Sequence, residues 1–259
     1  MPRYVHFSHH NGPFWGRLEH TQIRVLSDAP WVAGVSEKED VVDLDDVSLL
    51  PPAHPTKIVC VGRNYSAHAA ELNNPVPEEP LLFLKPPSCL IGHDDSIVYP
   101  TGQTELVHHE GELALVIGST TRHVSEEDAL RRIFGYTLLN DVTARDLQRR
   151  DVQFTRGKGF DTFGPCGPWI DSDFTPGEQK LRVCVNGSLR QEGSLRDMIF
   201  SCANLVSRIS RVMTLKPGDL VSTGTPSGVG PLIPGDRVEV SLEDLGTLVN
   251  HVEHAPDAR

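Results

Sequence analysis

The chain has 259 residues, 38% of them hydrophobic and 23% charged, enough to bury a substantial core in one large domain or one domain with a small appendage, and too apolar for intrinsic disorder. Its formal net charge of −11 argues against a nucleic-acid partner, which needs a basic stripe to meet the phosphate backbone. No run approaches the roughly 18 apolar residues of a membrane span, and the N-terminal MPRYVHFSHH lacks the charged and apolar regions of a secretory signal, so a cytoplasmic protein with no membrane partner is expected.

Residues 1–50 carry short alternating runs, YVHF and FWGRLEH, around an HNG turn signal, which predicts a small β-rich module. The stretch DLDDVSLLPPAHPTK then reads as a linker. From Lys57 onward, KIVCVG, PLLFLK, ELALVIG, GYTLLN, KLRVCVNG, DLVSTG and RVEVSL are apolar or alternating runs separated by Gly, Pro, Asn and Asp, the pattern of strands. Asn186-Gly187 between KLRVCV and SLRQEG predicts a hairpin with a type I′ turn. Helical signals are fewer. Ser125 and Asp128 form a capping box ahead of EEDALRRI, and the stretch from Ser194 to Leu215 places apolar residues at near-helical spacing until Pro217-Gly218 stops it. Strands and helices do not alternate, which disfavours a doubly wound parallel sheet. The five cysteines (Cys60, Cys89, Cys166, Cys184, Cys202) form no CxxC pair and read as buried or incidental thiols.

Several polar groups invite a chemical reading. In HHEGELALVIG, Glu110 and Glu112 stand two apart, so on a strand they share one face while Gly111 and Leu113 take the other. Such a pair repels unless it is solvated or a cation sits between its members. Asp141 ends the run GYTLLND. Three acidic oxygens without thiolate suit a hard cation such as Mg²⁺ or Mn²⁺; on spacing alone, a solvated acidic face is the commoner arrangement. His68 and Glu71, three apart in the Ala-rich NYSAHAAEL, lie on one helical face. The carboxylate can align the imidazole as a base toward water, and a surface ion pair has the same spacing. Arg145, Arg149, Arg150, Arg156 and Lys158 form a cationic cluster that is either a solvated loop or a local attraction for an anionic substrate. Lys158 beside glycines reads as a surface residue, and His108 and His109 as structural or surface residues.

Taken together, GRNYSAHAAEL, PLLFLKPPSCLIG, HHEGELALVIG, GYTLLNDVTARDLQ, GKGFDTFGPCGPW and STGTPSGVG, in that order, resemble the motifs of the fumarylacetoacetate hydrolase superfamily over about residues 57–245. The resemblance implies an α+β, mainly β fold: a mixed β-sandwich roll over residues 51–259 behind the small N-terminal β module of residues 1–50, assembled as a homodimer. It implies Glu110, Glu112 and Asp141 as ligands of Mg²⁺ or Mn²⁺. It implies the HxxE pair His68 and Glu71 on a segment, about Asn64 to Pro80, that closes over the substrate, with the polar, proline-rich NNPVPEEP as its mobile part. Lys158 would sit near the substrate carboxylate and developing enolate, and Thr225 would meet that carboxylate through its hydroxyl or amide. Arg145 and Gln148 would line the pocket, although Arg145 is equally suited to brace the Asp141 loop. The glycine-rich GTPSGVG lacks the GK[ST] ending of a phosphate loop. The implied activity is hydrolytic cleavage of a carbon–carbon bond in a small anionic 2-oxo acid of acylpyruvate type through a metal-stabilised enolate. Decarboxylation of oxaloacetate, decarboxylation or isomerisation of a 2-hydroxymuconate or 2-hydroxyhepta-2,4-diene-1,7-dioate type substrate of aromatic catabolism, and a catalytically idle metal-binding protein are the alternatives.

Overall fold

The computed structural model describes residues 2–10, 12–71 and 75–255. Asn11 of the HNG turn and Asn73-Asn74 of the NNPVPEEP stretch lie outside the described residues. No helix among those described is long and apolar enough to cross a membrane.

Every strand run read from the sequence forms a strand. The largest sheet has twelve strands, and its main path runs Glu37–Asp43, Gln22–Leu26, Gly12–Glu19, Arg3–His9, Gly164–Asp171, Ile133–Asn140, Gly111–Ile117, Leu220–Ser222, Ile58–Gly62, Leu81–Lys85. A five-stranded sheet (Ser188–Ser194, Lys180–Val185, Arg237–Leu242, Gly246–His254, Ser96–Tyr99) packs against it, and a three-stranded sheet joins Thr143–Ala144, Val107–His109 and Gly230–Leu232. The architecture is α+β and mainly β, as expected. ELALVIG is continuous rather than alternating because Gly111–Ile117 is buried on both faces. Leu113, Leu115 and Ile117 enter the main core with Val183, Val240 and Leu205, and Ala114 and Val116 enter a second core with Ile58, Leu139 and Ile170.

The stretch expected to be a linker is structured. Leu44–Asp46 is a 3₁₀ turn and Ser48–Leu50 is a strand on Arg3–His9. Residues 5–25 supply a small core of their own, with Val5, Phe7 and Ile23 fully buried. The ladder is nonetheless continuous with the large sheet, because Arg3 pairs with Asp171 and Tyr4 with Ile170.

The long helix expected from Ser194 to Leu215 is shorter, Cys202–Val212. Ser201 caps it through the Asn204 amide. The preceding residues cannot join it, because the Ile199 and Phe200 amides are taken by the Asn64 carbonyl and side chain. The Ser125 cap on Asp128 forms as expected and opens the single turn Glu126–Ala129. At the predicted hairpin, Asn186 and Gly187 both have positive φ (51° and 73°) between the paired Val185 and Ser188, the requirement of a type I′ turn. All five cysteines are free thiols, four of them buried.

Candidate active site

Sheet topology brings the site together. Gly111–Ile117 and Ile133–Asn140 are antiparallel with Gly111 opposite Asn140, so Glu110 and Asp141 face each other just past the end of the ladder. The Asp141 amide donates to the Glu110 carbonyl, and the Glu110 amide to Asn140 Oδ1. On the other side Ala114 pairs with Ser222, which aligns Glu112 with Gly224. Leu220–Ser222 runs parallel to Ile58–Gly62, so the segments after both strands, carrying Thr225 and His68, leave at the same end. Gly111 is required between the two glutamates. A Cβ there would lie 2.4 Å from Val183 Cγ2 of the five-stranded sheet, so the face opposite the carboxylates has no room for a side chain.

Glu110, Glu112 and Asp141 are all buried, with one ligand oxygen from each lying within 4.8 Å of the others. Two oxygens on one Mg²⁺ can stand at most about 4.2 Å apart, so small side-chain adjustments close this set around a hard cation. A solvated acidic face is excluded. Three buried cations meet two of the three acids, Glu110 and Asp141. Lys158 Nζ donates to Glu110 Oε2 (2.8 Å) and Asp141 Oδ2 (2.6 Å), Arg145 Nη2 donates to Glu110 Oε1, and Lys85 Nζ lies 2.8 Å from Asp141 Oδ1. Asp141 Oδ1 accepts no hydrogen bond among the described residues and has the Lys85 ammonium as its ion-pair partner. Three buried carboxylates that can each bring an oxygen into one small cluster are a donor set that fits a hard divalent cation.

The two glutamates differ in electrostatics. Burial works against the charge of Glu110, but Lys158 and Arg145 outweigh it and hold the group below the usual carboxylate range. Lys158 is raised for the reciprocal reason: burial disfavours its charge, while Asp141 and Glu110 stabilise it more. Glu112 has no cation in hydrogen-bond contact among the described residues. Its Oε2 accepts from Ser222 Oγ (2.5 Å) and the Gly224 amide (2.8 Å). Burial first, then repulsion from Asp141 and Glu110, pushes it up to about 8, against the downward pull of the Ser222 hydrogen bond. In the metal-free protein Glu112 is thus mostly protonated at pH 7. Because a ligating carboxylate must be ionised, Mn²⁺ or Mg²⁺ binding should release about one proton near pH 6 to 7, and the release should fade above about pH 8. Titration calorimetry in buffers of different ionisation enthalpy measures this, and an equal heat in all buffers at pH 6.5 would count against it.

His68 is buried on the short helix Ser66–Glu71, and its Nδ1 lies 3.1 Å from Glu71 Oε2. The other Glu71 oxygen accepts from the Gly228 amide at 2.9 Å. With Nδ1–H donated to Glu71, Nε2 is left to work as a base. The helix is fixed at its start. Asn64 is fully buried, its amide donating to the carbonyls of Phe200 and Thr223, and Tyr65 bridges to Met198. The first residues of the segment expected to close over the substrate are therefore an anchor.

Thr225 Oγ1 donates to the Gly111 carbonyl and accepts from Gln191 Nε2, both at 2.8 Å, so its hydroxyl is already committed. Arg145 does two things at once, reaching Glu110 and donating to Gln148 Oε1 at 2.6 Å. His109 is no surface residue. It is fully buried, with Nδ1 2.9 Å from Gln191 Oε1, and burial lowers it despite that bond. His108 is half-buried and pushed down to about 4 by burial and Arg145. Sequence reasoning missed Lys85, Ser222 and Gln191. Gln191 is a hub: its side-chain carbonyl accepts from the Gly111 amide and its side-chain amide also donates to the Pro226 carbonyl, tying the start of the strand Gly111–Ile117 to the Thr225 loop.

All nine sequence-named residues, His68, Glu71, Glu110, Glu112, Asp141, Arg145, Gln148, Lys158 and Thr225, line one cavity of about 320 Å³. The arrangement can hold a divalent cation against a small anion and can present a base to it.

Comparison with known proteins gives the family. The model of the fumarylacetoacetate (FAA) hydrolase C-terminal family matches residues 57–253, and an Rv2993c-like N-terminal model matches residues 3–52. The chain belongs to the fumarylacetoacetate hydrolase superfamily. Within it, oxaloacetate tautomerase YisK of Bacillus subtilis is 43% identical over 223 residues, 82% of this chain and 76% of that protein. The crystal structure of 2-hydroxyhepta-2,4-diene-1,7-dioate isomerase from Mycobacterium marinum matches with a TM-score of 0.92 and 39% identity, covering 99% of this chain and all of that one. Maleylpyruvate hydrolase from Sphingobium sp. SYK-6, in complex with manganese(II) and pyruvate, matches with a TM-score of 0.80 and 30% identity, covering 98% of this chain and all of that one.

Proposed function

We propose that the protein is a Mg²⁺- or Mn²⁺-dependent hydrolase that cleaves a carbon–carbon bond in a small 2-oxo acid of acylpyruvate type, with residues 51–259 as its catalytic domain. The observation that carries the reading is the placing of the His68–Glu71 pair in the same 320 Å³ cavity as the three carboxylates. A binding protein has no use for an aligned base beside a cation site.

A cation held by Glu110, Glu112 and Asp141 would act as a Lewis acid toward the 2-oxo oxygen and adjacent carboxylate. His68 Nε2 takes a proton from water, and Glu71 stabilises the imidazolium that results. The water oxygen adds to the distal carbonyl carbon. When that adduct collapses, the carbon–carbon bond breaks, its electron pair stays with the pyruvate-type enolate, and the released fragment is a carboxylic acid. Lys158 offsets the developing negative charge in a buried setting where such contacts are strong. A proton returned from His68 to the enolate carbon completes the cycle.

A second reading is favoured by the 43% identity to a B. subtilis oxaloacetate tautomerase. There the same base moves a proton between C3 and the 2-oxo oxygen of a substrate that is never cleaved. Parallel assays of the purified protein with Mn²⁺ on an acylpyruvate, on enol-oxaloacetate and on a 2-hydroxymuconate derivative test both. Acylpyruvate cleavage is the expected result. Fast tautomerisation without cleavage would establish the second reading instead, and turnover of none would point to an idle metal-binding protein.

A further inference from the structure

Gln191 is the one buried residue of the strand Ser188–Ser194, and its side chain lies outside the lining of the active-site cavity. Burying a carboxamide is costly unless its hydrogen-bonding capacity is met, and here all of it is. Oε1 accepts from the Gly111 amide at 3.1 Å and lies 2.9 Å from His109 Nδ1, while Nε2 donates to Thr225 Oγ1 at 2.8 Å and to the Pro226 carbonyl at 2.7 Å. The amide cannot be turned over, because the Gly111 N–H can only donate and the Pro226 carbonyl can only accept. Thr225 Oγ1 in turn donates to the Gly111 carbonyl at 2.8 Å. Both polar groups of Gly111, the residue between the two glutamates, are thus closed into one ring with Gln191 and Thr225.

The loop held by this ring runs from Glu112 to Glu71. At its start the Gly224 amide donates to Glu112 Oε2 at 2.8 Å, and at its end the Gly228 amide donates to Glu71 Oε1 at 2.9 Å. Gln191 holds Thr225 and Pro226 in between. The strand Ser188–Ser194 also backs the loop sterically. A Cβ on Gly193 would lie 2.5 Å from Pro226 Cβ, and one on Gly228 would lie 2.1 Å from the Arg190 carbonyl oxygen. Gly228 has φ 97°, a backbone that only glycine adopts readily. Glu71 is 32% exposed at the end of a helix of six residues, so its own helix gives the carboxylate little support. The Gly228 amide fixes one of its oxygens, and the other faces His68 Nδ1 at 3.1 Å.

We propose that Gln191 is a positioning residue for the base: it fixes the loop Thr225–Gly228 to the segment that carries Glu110 and Glu112, so that the Gly228 amide orients Glu71 and Glu71 orients His68. The carbonyl half of the side chain holds the carboxylate segment, and the NH₂ half holds the loop. The placing of the base relative to the cation site is therefore set from outside the cavity. A fully satisfied buried network of this kind has one arrangement, which is what the alignment of a base requires. This rests on the reading of His68 as the base.

Gln191→Glu keeps the shape and the accepting half of the side chain but sets an oxygen where two N–H groups met Thr225 and Pro226. Ring-nitrogen NMR on the metal-free full chain, about two pH units above the ordinary imidazole value, reads the alignment directly. The His68 signal, assigned by its loss in His68→Gln, should show the Nδ1–H tautomer in the wild type and a mixture of tautomers in Gln191→Glu. With Mn²⁺ saturating, kcat for acylpyruvate cleavage should fall by on the order of 10 to 10², the scale of a misplaced catalytic group, while KM and Mn²⁺ affinity stay near wild type. In a Glu71→Ala background the same substitution should cost little more, because a residue acting through Glu71 has nothing left to align. Gly228→Ala, which drives a methyl against Arg190 and shifts the amide from Glu71 without altering Gln191, should also mix the tautomers. A single His68 tautomer in Gln191→Glu, or in Gly228→Ala where Gln191→Glu does not fold, would overturn the assignment. So would a loss of kcat that persists in full without Glu71. Absence of cleavage by the wild-type protein would reject the hydrolase reading alone, because the tautomer is read without substrate.

Discussion

Replacing Glu110 by Gln and replacing Glu112 by Gln should both abolish metal-dependent turnover, yet move the stability of the metal-free protein in opposite directions. Glu110 is the anionic partner of Lys158 and Arg145. An amide in its place turns an N–H toward one of two buried cations and leaves that cation poorly paired, a loss of roughly 3–5 kcal/mol. At about 2–4 °C per kcal/mol for a chain near this size, the melting temperature should fall by on the order of 10 °C. Asp141→Asn should behave like Glu110→Gln, because Asp141 faces both Lys85 and Lys158. Glu112 is different because, with its proton leaving only at about 8, it is already neutral in the metal-free protein at pH 7. A carboxamide in its place can still accept from Ser222 and Gly224 through its carbonyl, while its NH₂ faces the Asp141 and Glu110 carboxylates. Glu112→Gln should therefore melt in EDTA at or above the wild-type temperature and lose the stabilisation that Mn²⁺ confers on the wild-type protein. Thermal unfolding of the variants with EDTA and with Mn²⁺, alongside turnover, checks both parts. A Glu112→Gln protein that Mn²⁺ still stabilises fully would remove Glu112 from the ligand set.

The sequence carried the elements and the site groups because each has a local signature. ELALVIG is long and apolar enough to be a doubly buried strand, Asn186-Gly187 supports its turn through two positive φ angles, and Glu110, Glu112 and Asp141 sit at strand ends where the ladder register turns spacing into proximity. What was not legible depends on contacts far apart in sequence. Lys85 ends PLLFLK and looks like the charged terminus of a strand. It reaches Asp141 only because Leu81–Lys85 pairs with Ile58–Gly62, and its ammonium then donates to the carbonyls of Val142 and Lys158. Gln191 lies in SLRQEGS, an otherwise exposed hairpin arm, and a register shift between Val183 and Cys184 accompanies its inward turn. Ser48–Leu50 is too short to show periodicity and becomes a strand because Arg3–His9 offers it an edge. Asn64 prevents a longer helix before Cys202 by capturing two backbone amides, which no helical propensity scale registers.

His68→Gln should lower acylpyruvate cleavage by on the order of 10² to 10⁴, the usual span for loss of a general base, while Mn²⁺ affinity stays near wild type. The separation follows from the geometry: His68 hydrogen-bonds to Glu71 and to none of the three carboxylates, so glutamine removes the base without opening the cation site. Glutamine is close to histidine in reach and is tolerated in a short helix, so the backbone around Ser66–Glu71 has no reason to move. Glu71→Gln should cost less than His68→Gln, because the imidazole remains but loses the charge that stabilises its protonated form. Single-turnover kinetics with Mn²⁺ held saturating distinguish slower chemistry from weaker binding. If His68→Gln cleaves at the wild-type rate, water activation must come from elsewhere in the cavity. If cleavage falls but C3 proton exchange of oxaloacetate in D₂O does not, the base serves water alone and the tautomerase reading loses its proton carrier.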